Sequence, residues 1–129
     1  MFRALVLDKV DDKFGLDLRD LTDDDLPEAD VLVDVEYSTV NYKDALAVTD
    51  SSPVVRMWPM VPGIDLAGRV AESDRNDVPV GIPVVVNGWG LGETWWGGHA
   101  QRARVRGEWT VPVPEVFDTA QAMAIGTAG

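Results

Sequence analysis

The chain has 129 residues, 46% of them hydrophobic, with 22 acidic against 11 basic side chains and a net charge of −11, which fits one folded domain and excludes a disordered segment. The absence of cysteine excludes disulfides, thiolate zinc sites, iron–sulfur clusters and a cysteine nucleophile, and a lone histidine, His99, excludes a histidine-rich metal site. The acidic balance argues against nucleic-acid binding, no apolar run reaches a membrane span, and residues 1–9 lack a secretory signal, so a cytoplasmic protein is expected.

In chain order, residues 2–7 are a short apolar strand candidate. Residues 21–30 are acidic, hold Pro27 and read as a surface loop. Residues 30–39 carry the clearest strand signal: Val31, Val33, Val35 and Tyr37 point one way, Asp34, Glu36 and Ser38 the other, with Leu32 out of phase. Tyr42, Ala45 and Leu46 recur at helical spacing, which predicts a short helical turn over residues 41–48. Pro53, Pro59 and Pro62 rule out regular structure through residues 51–62. Strands are expected at residues 64–73 and 82–87, punctuated by Gly63, Gly68 and Gly81. Residues 88–98 hold five glycines and three tryptophans, a loop able to bring backbone close to a ligand or another strand. Residues 101–106 alternate, with Arg102, Arg104 and Arg106 opposite Ala103 and Val105, and residues 109–113 complete the β part. Asp118 with Gln121 three residues on resembles a capping box, so a helix is expected from about residue 118 to Gly126. Many short strands, Gly and Pro turns and few helices predict a mainly β fold, a small barrel or sandwich.

Four segments are candidates for chemistry: Asn41-Tyr42-Lys43-Asp44, the stretch 62–68 with Asp65, the loop 88–99, and Gly126-Thr127-Ala128-Gly129. Tyr42 and Lys43 read either as proton donor and charge stabiliser or as a polar helix start. Asp65 reads either as an acid or as an internally paired carboxylate.

Their order resembles the medium-chain dehydrogenase/reductases, in particular the zinc-free quinone-oxidoreductase-like branch that includes acryloyl-CoA reductases. That branch carries Asn-Tyr-Lys-Asp-Ala-Leu, here residues 41–46. A Pro-Met-Ile-Pro-Gly-Ile-Asp-type stretch follows, matched by residues 59–68. Then come Gly-Trp-Gly-Xaa-Gly-Glu at 88–93, Trp-Gly-Gly at 96–98 and Ile-Gly-Thr-Ala-Gly at 125–129. The resemblance implies a GroES-like, partly open β-barrel with a few short helices over residues 1–117. Residues 118–129 would then form a helix leading toward a cofactor-binding Rossmann domain that the chain lacks. Zinc-dependent relatives place a Cys where Asn41 stands and a His-Glu pair at Ile64-Asp65, so no metal is expected here.

The implied activity is NADPH-dependent reduction of the C=C bond of an enoyl thioester such as acryloyl-CoA, or of a quinone. Tyr42 and Asn41 are the implied catalytic residues, Tyr42 and Thr127 the cofactor contacts, and Lys43 and Trp89 the substrate contacts. Asp65 and Asp44 would support the segment. No Gly-x-Gly-x-x-Gly joins a strand to a helix, so most of an NADPH site is expected to be missing and the chain alone inactive. The competing reading is a non-catalytic barrel module that binds a ligand or assembles with partners.

Among the remaining residues, Trp58, Trp89, Trp95, Trp96 and Trp109 read as an aromatic platform for a ligand or as core, with Trp89 and Trp95 the candidates for ligand contact, and His99 reads as a structural histidine. The arginine stripe reads as phosphate-binding or as a face paired with nearby acids. The apolar face of residues 120–125 is expected to be uncovered and to favour a homodimer or contact with a cofactor-binding domain. The scarcity of lysine (Lys9, Lys13, Lys43) reads as high-salt adaptation or as a merely acidic surface.

Overall fold

In the computed structural model, which describes residues 1–125, the chain opens with a hairpin. β1 (Phe2–Val10) and β2 (Lys13–Leu21) pair antiparallel from Phe2 opposite Leu21 to Val10 opposite Lys13. The strand expected at residues 2–7 therefore runs on to Val10, and β2 is a strand the sequence reading does not contain. Its alternation of Phe14, Leu16 and Leu18 with Asp17 and Arg19 buries nothing fully, and its turn is disguised. Asp11 and Asp12 both take left-handed backbone, at φ 52° and 62°, where a two-residue hairpin loop usually carries Asn-Gly or Asp-Gly.

After a 3₁₀ turn at Asp23–Asp25 come β3 (Val31–Ser38), α1 (Tyr42–Val48), β4 (Asp65–Ser73), β5 (Pro83–Asn87), β6 (Arg102–Val105), β7 (Val111–Pro112) and α2 (Thr119–Ile125). The strands form a five-stranded sheet in the order β6-β3-β4-β5-β7, with every neighbour antiparallel. Neither sheet closes on itself, and the architecture is the mainly β, partly open barrel expected, with no parallel β–α–β unit among the described residues. Residues 109–113 are not one strand: a 3₁₀ turn at Gly107–Trp109 precedes the two-residue β7. Between α1 and β4 the proline-rich stretch forms no helix or strand, yet Met60 is buried and exchanges two backbone hydrogen bonds with Leu7 of β1.

Two apolar clusters hold the fold. Val31, Val33, Leu66, Val84, Val86 and Val105 fill the barrel, while Phe2, Ala4, Val6, Leu26, Leu32 and Val61 form a second core under the hairpin. The second core explains why Leu32 is out of phase: the first turn of β3 is covered on both faces, so inward and outward positions are both apolar. Tyr37, at the far end of the same strand, is half exposed rather than turned inward.

α2 begins as its sequence suggests. The Asp118 carboxylate accepts from the Gln121 N–H at 2.7 Å, and the Gln121 side chain accepts from the Asp118 N–H at 3.0 Å. Contrary to the expectation of an uncovered face, α2 packs on the barrel's own β3, β4 and β5. Thr119 and Met123 are buried there, and the Thr119 hydroxyl donates to Glu36 at 2.6 Å. The expected helix end at Gly126 lies outside the described residues.

Candidate active site

Where β3 ends, the chain turns through Thr39 and Asn41 into α1. Asn41 is the residue before the helix, and Asp44 reaches back from the first turn to accept its N–H at 2.9 Å. The other Asp44 oxygen accepts from the Ile64 N–H, 3.0 Å away at the start of β4. One buried carboxylate, 2% exposed, thus fastens α1 to the neighbouring strand. The Asn41 amide donates to Thr39 Oγ1 at 2.7 Å and to Asp65 Oδ2 at 3.0 Å, with Asp44 Oδ2 at 3.3 Å. Thr39 Oγ1 in turn donates to Asp65 Oδ2 at 2.9 Å, and Asp65 is fully buried. His99 Nε2–H donates to the Thr39 carbonyl at 2.9 Å, the structural role expected of it.

The result is a hydrogen-bonded floor from which Val40, Tyr42 and Lys43 project. The helix predicted around residues 41–48 is present, but its facing is reversed. Asp44 and Ala47 are the buried positions, whereas Tyr42 is 81% exposed and Ala45 is also outward. Burying a carboxylate costs free energy unless its oxygens are bonded, and here two backbone N–H groups from separate segments bond them. That compensation comes from β4, distant in sequence, so helical periodicity alone does not show it.

Lys43 lies beside Tyr42, and its Nζ pairs with Glu93 Oε1 at 3.2 Å, holding α1 to the glycine-rich loop. The loop packs tightly. Gly97 lies so close to the carbonyls of Pro62 and Gly63 that a Cβ there would overlap them, and His99 N–H donates to the Pro62 carbonyl. Trp89 leaves β5 in left-handed backbone, φ 56°, a conformation that costs a residue with a Cβ roughly 1–2 kcal/mol. It is 59% exposed and stacks on Trp109, centroids 6.0 Å apart and planes within 14°. Trp109 also meets the edge of Trp95 at 5.1 Å, and the Arg106 guanidinium lies over both rings.

The other two stripe arginines are engaged with the first acidic turn and β3. Arg102 bonds Asp23 and Asp34, each at 2.8 Å, and Arg104 bonds the Asp23 carbonyl. The hydrogen bond with Asp23, followed by the charge of Asp34, raises the Arg102 pKa. The reading as an acid-paired face therefore holds for Arg102.

The structure brings Asn41, Tyr42 and Lys43 together at the N-terminus of α1. Trp89 follows β5, whose last residue Asn87 pairs with Asp65, the partner of Asn41. Thr127 lies outside the described residues. Sequence reasoning missed Thr39, named Glu93 only within the glycine-loop motif, and named Trp109 only as one of five tryptophans. Glu93 carries a signal, being the one acid in a glycine loop, but Thr39 and Trp109 carry none short of the fold. Among the described residues no three His, Cys, Asp or Glu side chains converge. At the positions linked by the resemblance to zinc ligands stand Asn41, whose amide N–H groups point at a carboxylate, and the apolar Ile64. A donor and an alkyl chain do not fit a zinc ion.

Residues 27–115 match the family model described as the alcohol dehydrogenase GroES-like domain. The chain is 50% identical over 131 aligned positions to an acrylyl-CoA reductase, AcuI, of Ruegeria pomeroyi, covering 100% of the chain and 40% of that protein. It is 37% identical to a putative quinone oxidoreductase, YhfP, of Bacillus subtilis, again covering the whole chain and 39% of the relative. Among solved structures, the yhdH oxidoreductase of Salmonella enterica in complex with NADP superposes with a TM-score of 0.94 at 46% identity, covering 98% of this chain and 39% of that one. The chain thus spans about two fifths of the length of these relatives.

Proposed function

This chain belongs to the alcohol dehydrogenase GroES-like domain family, and we propose that it is the substrate-side domain of an NADPH-dependent, zinc-independent reductase. The proposed substrates are an enoyl thioester such as acryloyl-CoA, or a quinone, as the names of its relatives suggest. The observation that carries this reading is Tyr42: an exposed phenol on a helix start whose backbone is held by the Thr39–Asn41–Asp44–Asp65 network, with both carboxylates buried. A phenol carried on a hydrogen-bonded helix start is open to meet a substrate carbonyl, and would act as a strong donor once a docked domain excludes water from it.

When bound, NADPH would supply a hydride to the β-carbon of the activated alkene, and a proton from solvent would complete the product at the α-carbon. By the family resemblance, Tyr42 and Thr127 would hold its nicotinamide end; the phosphate-binding loop of a dinucleotide site has no counterpart among the described residues. Tyr42 donates its hydroxyl to the substrate carbonyl oxygen, drawing electron density from the conjugated double bond without a metal. Asn41 fixes the Tyr42 backbone through its bonds to Asp65 and Thr39. Lys43, held by Glu93, sets its positive charge at the rim, where it meets an anionic substrate. Trp89 forms the apolar wall.

Exposed Val40, Val116, Phe117 and Ile125 join Tyr42 as apolar surface available to a cofactor-binding domain or a second copy. The test is NADPH consumption by a protein carrying this sequence joined to its cofactor-binding domain, with acryloyl-CoA or a quinone as acceptor. Acceptor-dependent oxidation is expected. Oxidation with neither would overturn the reading.

A further inference from the structure

Trp89 is more elaborately supported than a wall residue needs to be. A bulky side chain in left-handed backbone is disfavoured and persists where the surroundings over-determine it. Those surroundings are visible. Trp89 rests on Trp109, which is packed against the barrel core, met at its edge by Trp95 and capped by Arg106. Trp95 is itself fixed by a bond from its indole N–H to the Arg104 carbonyl at 2.7 Å. Arg106 has one carboxylate partner among the described residues, Glu108 at 3.8 Å. One face of Trp89 is therefore taken and braced from behind, and its exposure belongs to the opposite face and the edge.

The backbone that carries Trp89 is tied to the Tyr42 segment. Gly88, the residue before Trp89, donates its N–H to the Ile64 carbonyl at 2.8 Å, while the Ile64 N–H is held by Asp44 of α1. We infer that Trp89 is a stacking platform for a flat, conjugated acceptor. The site then takes aromatic enoyl thioesters and quinones as well as a three-carbon acyl group. A braced indole offers a π-face to any planar conjugated carbonyl, and stacking adds to what apolar burial alone supplies. This deepens the reductase reading and rests on it.

Two measurements test it. In the first, phenanthrenequinone is titrated into the chain while tryptophan fluorescence is followed, which needs neither cofactor nor turnover. Saturable quenching is expected, weakened about tenfold in Trp89→Leu and largely retained in Trp89→Phe, where an aromatic face remains. Quenching that does not saturate, or that Trp89→Leu leaves equally tight, would overturn the platform. In the second, kcat/KM for cinnamoyl-CoA is compared with that for acryloyl-CoA in the protein carrying the cofactor-binding domain. The ratio should fall about tenfold in Trp89→Leu and recover in Trp89→Phe. An unchanged ratio overturns the platform and leaves the reductase reading intact. No NADPH consumption with any acceptor overturns the reductase reading itself.

Discussion

Asp44 shows how one buried carboxylate organises a site. Its two oxygens bind the Asn41 and Ile64 N–H groups, so removing it strands two backbone donors in the interior. Asp44→Ala should therefore destabilise the domain by about 3 kcal/mol, read as a shift of the urea midpoint with an unchanged slope. A loss below about 1 kcal/mol would mean water or a neighbour replaces the carboxylate. The segment around Asp44 was legible in the sequence as a unit, because Asn41-Tyr42-Lys43-Asp44 stands out in order and spacing. Which side chain points outward was not. Tyr42, Ala45 and Leu46 share a helical face on paper, but Ile64 and Asp65 arrive from β4 and draw the polar face of α1 inward, leaving Tyr42 outside. Trp89 was visible as a candidate, whereas its brace on Trp109 joins residues that only the sheet brings together.

At the scale of elements, the hairpin β1–β2 is the part the sequence hid. Its alternation is present, but β2 has no fully buried residue, and Asp11-Asp12 lacks the glycine that marks a two-residue turn. The turn should consequently be improvable. Asp12→Gly removes a left-handed residue with a Cβ, and should stabilise the chain by about 1 kcal/mol, or about 4 °C in Tm. Calorimetry showing no gain would mean that the Asp12 side chain compensates locally. α2 shows the opposite balance: its capping box was readable from Asp118 and Gln121, but its docking was not. Met123 and Thr119 meet β3, β4 and β5, so the helix seals the barrel instead of presenting a bare face.

At the scale of the whole molecule, a net charge of −11 on 129 residues sets the solution behaviour. Asp23, Asp24 and Asp25 stand in one turn, and Asp11 and Asp12 in another, so like charges crowd at two places. Salt near 1 M shortens the Debye length to about 3 Å and screens this repulsion. Tm should accordingly rise between low and high sodium chloride, and a flat or falling Tm would show that the ion pairs outweigh the repulsion. The same charge repels polyanionic ligands, and Lys43 and Arg106 each already have a carboxylate partner, Glu93 and Glu108. Family and fold were legible because five motifs fall in order along the chain. The cofactor end of the site was not, because its phosphate loop has no counterpart among the described residues.

On the proposed reading Tyr42, carried on the hydrogen-bonded network beneath it, polarises the substrate. The decisive experiment is steady-state reduction of acryloyl-CoA by Tyr42→Phe, in a protein joining this sequence to a cofactor-binding domain of a relative. Its kcat should fall by about a hundredfold with the far-UV circular dichroism unchanged, the loss expected for one removed carbonyl donor. A variant that turns over at the rate of the parent would contradict it, and the polarising group would have to be sought elsewhere in the cleft.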